Sequence, residues 1–227
     1  MKNPNDVQVE QDWEIYWGAQ GEPTSKIYDY IAEFYRKNII IKILNFFLKK
    51  HFKQNDKVLH AGCGSGQVDL DANNYLNITA LDISPKALEI YKSVNPNNNN
   101  IVKGSIFELP FEDGSYDGIY NLGVMEHFTS DEINQILLEF KRVVKKGGKI
   151  VMFWPPTKGL TVNVLDSAHF VLNKILKKNI KLHPDEITRI KSKSHAKSIL
   201  SRAGLDLVDY YFGIKDLFTQ SVIVTQV

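Results

Sequence analysis

The chain has 227 residues, of which 43% are hydrophobic and 24% charged, the balance of one generous globular domain and not of a disordered chain. Its 28 Lys and Arg against 26 Asp and Glu leave a formal charge of +2, so a broad electrostatic footprint for nucleic acid is not expected. Cys63 is the single cysteine, which excludes an internal disulfide framework and a cysteine-rich zinc site.

Residues 1–10 are polar and lack the apolar core of a signal peptide. No apolar run approaches the roughly 20 residues that a membrane-spanning helix needs. A cytoplasmic chain without a transmembrane segment is the expectation. Residues 1–54 read as a helical cap, opened by Trp13, Tyr16 and Trp17. From Ser25 to Lys50 apolar residues recur at three- and four-residue steps, among them Ile27, Ile31, Phe34, Ile43, Leu44 and Phe47, predicting a helix broken near Asn38.

Residues 57–154 alternate short apolar runs with amphipathic stretches. Strands are expected at 58–61, 77–81, 101–102, 116–122 and 149–154. Ser84 can cap the helix that follows the second strand, and Pro85 suits its first position. Before the fifth strand, Thr129 and Glu132 form a capping box, and Ile133, Ile136, Leu137, Phe140, Val143 and Val144 make one apolar face. Lys145 and Lys146 suit that helix's negative end, and Gly147-Gly148 its stop. This order argues for a doubly wound α/β fold with a mostly parallel sheet.

Residues 157–194 hold two helical patterns, 165–178 and 184–193, more than a simple crossover needs. A helix is then expected over 195–203, with strands at 205–212 and 219–227. Only residues 213–218 separate those strands, so they should pair antiparallel.

The strongest chemical signal is Val58-Leu59-His60-Ala61-Gly62-Cys63-Gly64-Ser65-Gly66-Gln67. Glycines at alternate positions after a strand let the backbone approach a ligand without Cβ obstruction, and a following helix would present free N–H groups. Asp82 ends the next strand about 20 residues on, the spacing at which a carboxylate meets ribose hydroxyls. A nicotinamide fingerprint would want Gly or Ala where Gln67 stands, so a different nucleoside is indicated.

With these residues the chain resembles the class I S-adenosylmethionine-dependent methyltransferases, in particular the small-molecule branch. Further blocks carry the likeness: Ala80 to Ser84, Gly104 to Phe111, Tyr116 to His127, and Val144 to Ile150. The resemblance implies a Rossmann-like seven-stranded sheet with an antiparallel last strand. It makes 1–227 a single domain, with core 57–154, a lid at 157–194 and a helix and hairpin at 195–227.

The resemblance also implies roles. Gly62, Cys63 and Gly64 would lie along the methionine part of S-adenosyl-L-methionine, with Gln67 also in the cofactor site. Asp82 would take the ribose, Ile83 the adenine face, and Ser105 and Ile106 the adenine edge. Asn121 and Leu122 would offer backbone groups near the sulfonium. Apart from the resemblance, Tyr16, Trp17, Tyr28, Tyr30 and Arg36 can close over the cofactor, Arg36 by pairing with its carboxylate, while the alternative for most of these aromatics is to fill the helix-to-sheet interface. His127 is the first candidate for a proton acceptor and Glu126 the second, though either can instead orient the cofactor or cap the next helix. Two departures stand out, because the family usually has acidic residues where His60 and Ser105 stand.

The expected reaction moves a methyl group to oxygen or nitrogen of a small molecule or a glycan- or lipid-linked intermediate. A non-catalytic cofactor-binding regulator and a nucleic-acid or protein methyltransferase are the alternatives. Asn121-Leu122-Gly123-Val124 lacks the Pro-Pro-aromatic turn of base-flipping enzymes. No metal-ligand spacing is visible. Residues 170–182 interleave apolar residues with lysines, the pattern of a membrane-surface helix and equally of a lid helix with a solvated face. His169 and His183 are expected to face solvent.

Overall fold

The computed structural model describes residues 4–18, 35–159 and 186–227. Helix α1 spans Pro4–Gly18. A π-helical turn, Arg36–Ile40, leads into α2, Ile41–His51. The expected break near Asn38 therefore takes the form of a π-turn inside a continuing helix.

Seven strands form one sheet: β1 Lys57–Ala61, β2 Asn77–Asp82, β3 Ile101–Lys103, β4 Tyr116–Leu122, β5 Val144–Trp154, β6 Asp206–Tyr211 and β7 Ser221–Gln226. Their spatial order is β3-β2-β1-β4-β5-β7-β6. The first five strands run parallel, while β7 pairs antiparallel with both β5 and β6. The order reverses between β1 and β4, and that switch point opens a crevice at the strands' carboxyl ends.

Side chains alternate across the sheet. Leu59, Ile119, Ile150 and Met152 face helix α4, Ser130–Val143, and helix α5, Lys193–Arg202. Val58, Tyr120, Val151 and Phe153 face α2, through Leu44, Phe47 and Leu48. The Thr129–Glu132 capping box forms as expected. Helix α3, Pro85–Val94, starts on the Ser84 cap with Pro85 in its first turn.

Three expectations change. The glycine loop leads not into a long helix but into two short 3-10 turns, Gln67–Asp69 and Ala72–Asn74. Helix α4 ends at Val143, and Val144 already belongs to β5, paired with Tyr116. Backbone partners win over the lysine-glycine stop signal there: Gly147 N–H donates to Val227 O and Val227 N–H to Gly148 O. Finally, 186–192 is an extended strap and not part of a helix. Ile187 and Thr188 N–H both donate to Glu126 O, and Ile190 N–H donates to Pro155 O. β-Branched residues with non-local backbone partners favour that extended path.

The expected helical stretch 165–178, the amphipathic 170–182, and Tyr28, Tyr30, His169 and His183 lie outside the described residues. Among the described residues no helix is long and apolar enough to cross a membrane.

Candidate cofactor site

Strand β1 delivers the chain into Gly62–Gly66 at the switch point. Gly62, Gly64 and Gly66 have φ of +73°, +51° and +64°, a left-handed backbone that disfavours any Cβ. Space is equally restrictive, since a Cβ on Gly64 would lie 2.6 Å from the Trp17 ring and one on Gly66 2.2 Å from Tyr91. Gly62 and Cys63 N–H both donate to Leu81 O, tying the loop to the end of β2.

Asp82 sits where β2 ends and is 7% exposed. Its Oδ2 accepts from Gly64 N–H at 2.9 Å and its Oδ1 from Ser84 N–H at 3.0 Å. Burial pushes this carboxyl up from the ordinary range, and the Ser84 and Gly64 N–H groups pull it back. Two carboxylate oxygens offer four acceptor positions, more than the neighbouring backbone N–H groups fill.

A cavity of about 970 Å³ lies over this edge. The glycine loop, Asp82 and Ile83 line one side, with Ser105 and Ile106 beside them. Trp13, Tyr16 and Trp17 of α1 also line it. Helix α1 is held there by Glu14, whose Oε1 accepts from Ser84 Oγ at 2.6 Å and Lys86 N–H at 2.9 Å. Those donors lower its carboxyl pKa, the Lys86 N–H most, as expected for an anion at the amino end of α3. Arg36 lines the cavity and donates from Nη1 to Gln67 Oε1 at 2.6 Å.

Most of the expected residues thus meet at one cavity: Gly62, Cys63, Gly64, Gln67, Leu122, Tyr16 and Arg36 line it as well. Asn121, Glu126 and His127 are not among its described lining residues. Asn121 is fully buried, and its side-chain nitrogen and oxygen have no hydrogen-bond partner among the described residues. The 3-10 turn Met125–His127 directly follows Gly123 and Val124, which line the cavity. His127 meets Trp13 edge-on, ring centres 5.1 Å apart, and so touches a residue of the cavity wall. Glu126 is buried, and burial raises its carboxyl pKa to about 8. Burial likewise drives the Cys63 thiol well up, which removes it as a nucleophile.

One group escaped sequence reasoning. Asp69, fully buried, accepts from Tyr120 OH at 2.6 Å and Tyr91 OH at 2.9 Å, and lies 2.8 Å from His60 Nδ1. His60 also stacks on Tyr120, ring centres 4.3 Å apart, and lines the cavity. The unusual His60 was the available signal, since a buried imidazole needs a partner. Among the described residues no three His, Cys, Asp or Glu side chains gather as a metal site.

Comparison with known proteins agrees with this geometry. A family model described as a methyltransferase domain matches residues 59–152. An uncharacterized methyltransferase of Schizosaccharomyces pombe is 29% identical over 148 residues, covering 57% of this chain and 52% of its own. A demethylmenaquinone methyltransferase of Symbiobacterium thermophilum is 30% identical over 115 residues, 47% of this chain and 45% of its own. The chain therefore spans about half the length of the curated relatives it matches. Among solved structures, magnesium protoporphyrin IX methyltransferase from Synechocystis, with bound SAH, superposes with a TM-score of 0.68 at 15% identity, covering 98% of this chain and 99% of that one. Residues 59–152 thus match a methyltransferase domain, and the seven-stranded sheet has the fold of the class I S-adenosylmethionine-dependent methyltransferases.

Proposed function

We propose that the chain binds S-adenosyl-L-methionine in this cavity and transfers its methyl group to oxygen or nitrogen of a small or lipid-linked acceptor. The observation that carries the reading is Asp82, a buried carboxylate with acceptor capacity to spare at the carboxyl end of β2, beside a left-handed glycine loop.

The residues present fit that cofactor. Asp82 would hold the ribose hydroxyls, Ser105 and Ile106 the adenine edge, and Ile83 its face. Arg36 would bind the carboxylate, exchanging its bond to Gln67 for a charge-assisted one. When bound, the cofactor supplies a methyl carbon on a sulfonium, already a good electrophile. The chain then has to align an acceptor atom and keep water out, and the aromatic side chains of α1 suit the second task. His127 would accept the acceptor's proton or, through Trp13, set the wall against which the acceptor lies.

The relatives' names support a small-molecule acceptor: demethylmenaquinone for one, magnesium protoporphyrin IX for the solved neighbour. One observation favours a second reading, a non-catalytic cofactor-binding protein: neither Glu126 nor His127 is among the described lining residues. Incubating the full chain with methyl-labelled cofactor and fractionated cell extract separates the two. Label appearing in a small-molecule fraction, only when the protein is present, is the expected result. Cofactor binding with no labelled product in any fraction would favour the regulator.

A further inference from the structure

Five large apolar side chains stand exposed on neighbouring elements: Phe46 on α2, and Phe212, Ile214, Leu217 and Phe218 in the connection between β6 and β7. Singly exposed apolar residues need no explanation, but a contiguous group does. The Phe212 and Phe218 rings meet edge-on, centres 5.4 Å apart, and Lys215 Nζ lies 4.2 Å from the centre of the Phe46 ring, which ties the connection to α2. Ile214, 75% exposed, is the most open of the five. The connection is closed by its own backbone: Leu217 N–H donates to Ile214 O and Phe218 N–H to Gly213 O. Leu217 and Phe218 have φ of +59° and +57°, a left-handed backbone that bulky side chains rarely adopt and that Gly or Asn would take with less strain. Folding alone favours neither the strain nor the exposure, so an apolar pair held this way points to a contact outside the chain.

The charge around this group is one-sided. On α2, Lys42 precedes Phe46 by four residues, and Lys49 and Lys50 follow it by three and four, so all three share its exposed helix face. Lys215 adds a fourth ammonium beside the same ring. Lys50 is paired with Asp209, whereas Lys42, Lys49 and Lys215 have no acidic partner among the described residues. The one carboxylate of the connection, Asp216, is fully buried, and its Oδ2 accepts from Gln220 N–H at 2.7 Å. A chain whose formal charge is only +2 therefore gathers unpaired lysines around its exposed apolar group. This face adjoins the cavity, since Leu217 lines it, as do Arg36 and Ile40 of the π-turn that leads into α2.

We infer that this face docks on an anionic phospholipid bilayer, with Phe46, Ile214 and Phe218 entering the interface and Lys42, Lys49 and Lys215 meeting the lipid headgroups. Each half of the surface fits that partner: the acyl boundary takes up the apolar side chains, and the anionic headgroups neutralise the lysines. A second copy of the chain fits less well, because a two-fold contact through the same face would set the three lysines of one copy near those of the other. The inference goes beyond the methyltransferase reading and does not depend on it. Where both hold, the rim of the cavity lies at the lipid surface.

Flotation of the full chain with vesicles tests this, using phosphatidylcholine alone or mixed with about one-third phosphatidylserine. The expected result is binding to the mixed vesicles about tenfold tighter than to phosphatidylcholine, weakening as salt is raised. The double variant Ile214→Ser/Phe218→Asn should lose about tenfold of that binding. Its melting temperature should not fall, because Asn tolerates the left-handed backbone that strains Phe218. The double variant Lys42→Gln/Lys49→Gln, altered only at exposed positions of α2, should reduce the preference for mixed vesicles by about tenfold. No binding to the mixed vesicles, or equal binding by the unmodified chain and both variants, would overturn the docking face. So would a dimer of the unmodified chain in sedimentation that Ile214→Ser/Phe218→Asn converts to monomer, which would assign the face to a second copy. The assay contains no cofactor, so its outcome is separate from that of the methyltransferase reading.

Discussion

His60 Nδ1 lies 2.8 Å from Asp69 Oδ2, with both side chains buried beneath the glycine loop. Burial, and then the charge of Asp69, keeps the phenols of Tyr91 and Tyr120 protonated, so both donate to that carboxylate. An ionised carboxylate only accepts, so the His60 Nδ1 contact with the charged Asp69 is that of an N–H donor. Three donors from β1, α3 and β4 thus converge on one acceptor in the turn after the loop, and this fixes the loop's floor.

Removing that acceptor leaves three buried donors unsatisfied. Asp69→Ala is expected to cost about 3 kcal/mol or more in urea unfolding, against about 1 kcal/mol for Tyr120→Phe. A loss below 1 kcal/mol for Asp69→Ala would mean that the network does not hold the loop.

Backbone strain and crowding can be separated at two glycines of nearly equal φ. Gly66 (+64°) faces Tyr91 at 2.2 Å, whereas Gly114 (+63°) has nothing nearer than 3.9 Å. Gly114→Ala should cost about 1 kcal/mol, the left-handed penalty alone. Gly66→Ala should cost about 1–3 kcal/mol beyond that, because the Tyr91 ring must shift. Equal losses in the two variants would show that the Tyr91 contact is inconsequential.

Glu126 gives a pH signature. Its pKa is raised from 4.5 to about 8 by burial, so between those values the folded chain keeps a proton that the unfolded chain has lost. Stability contributed by this group therefore falls with rising pH across that window, by at most about 1.4 kcal/mol per pH unit. Glu126→Gln removes the dependence. The gain in melting temperature over the unmodified chain should be larger at pH 8 than at pH 5, and a gain that did not change with pH would argue against a buried protonated carboxyl.

His127→Ala is expected to lower turnover far more than cofactor affinity. The ring meets Trp13, which lines the cavity, so its loss should disturb the wall on which the acceptor is aligned before it disturbs the nucleoside. Equal losses in both quantities would reduce it to a cofactor-site residue.

Much of this was legible in the sequence for local reasons. Thr129 and Glu132 cap a helix three residues apart, the 213–218 gap is too short for a crossover, and Gly62 to Gly66 with Asp82 belong to consecutive strand ends. What escaped depends on long returns of the chain. Asp69 finds Tyr120 only because β4 lies beside β1. The strap at 186–192 is extended because Glu126 O, some sixty residues earlier, accepts its N–H groups. Val144 leaves the helix because Tyr116 is its neighbour across the sheet.

Calorimetric titration of S-adenosyl-L-methionine into the full chain and into Asp82→Ala is the most direct test of a ribose-holding carboxylate. Saturable binding that weakens at least tenfold in the variant, about 1.4 kcal/mol or more, is the predicted result. Undiminished affinity in Asp82→Ala, or no binding to the unmodified chain, would contradict the assignment of this cavity to the cofactor.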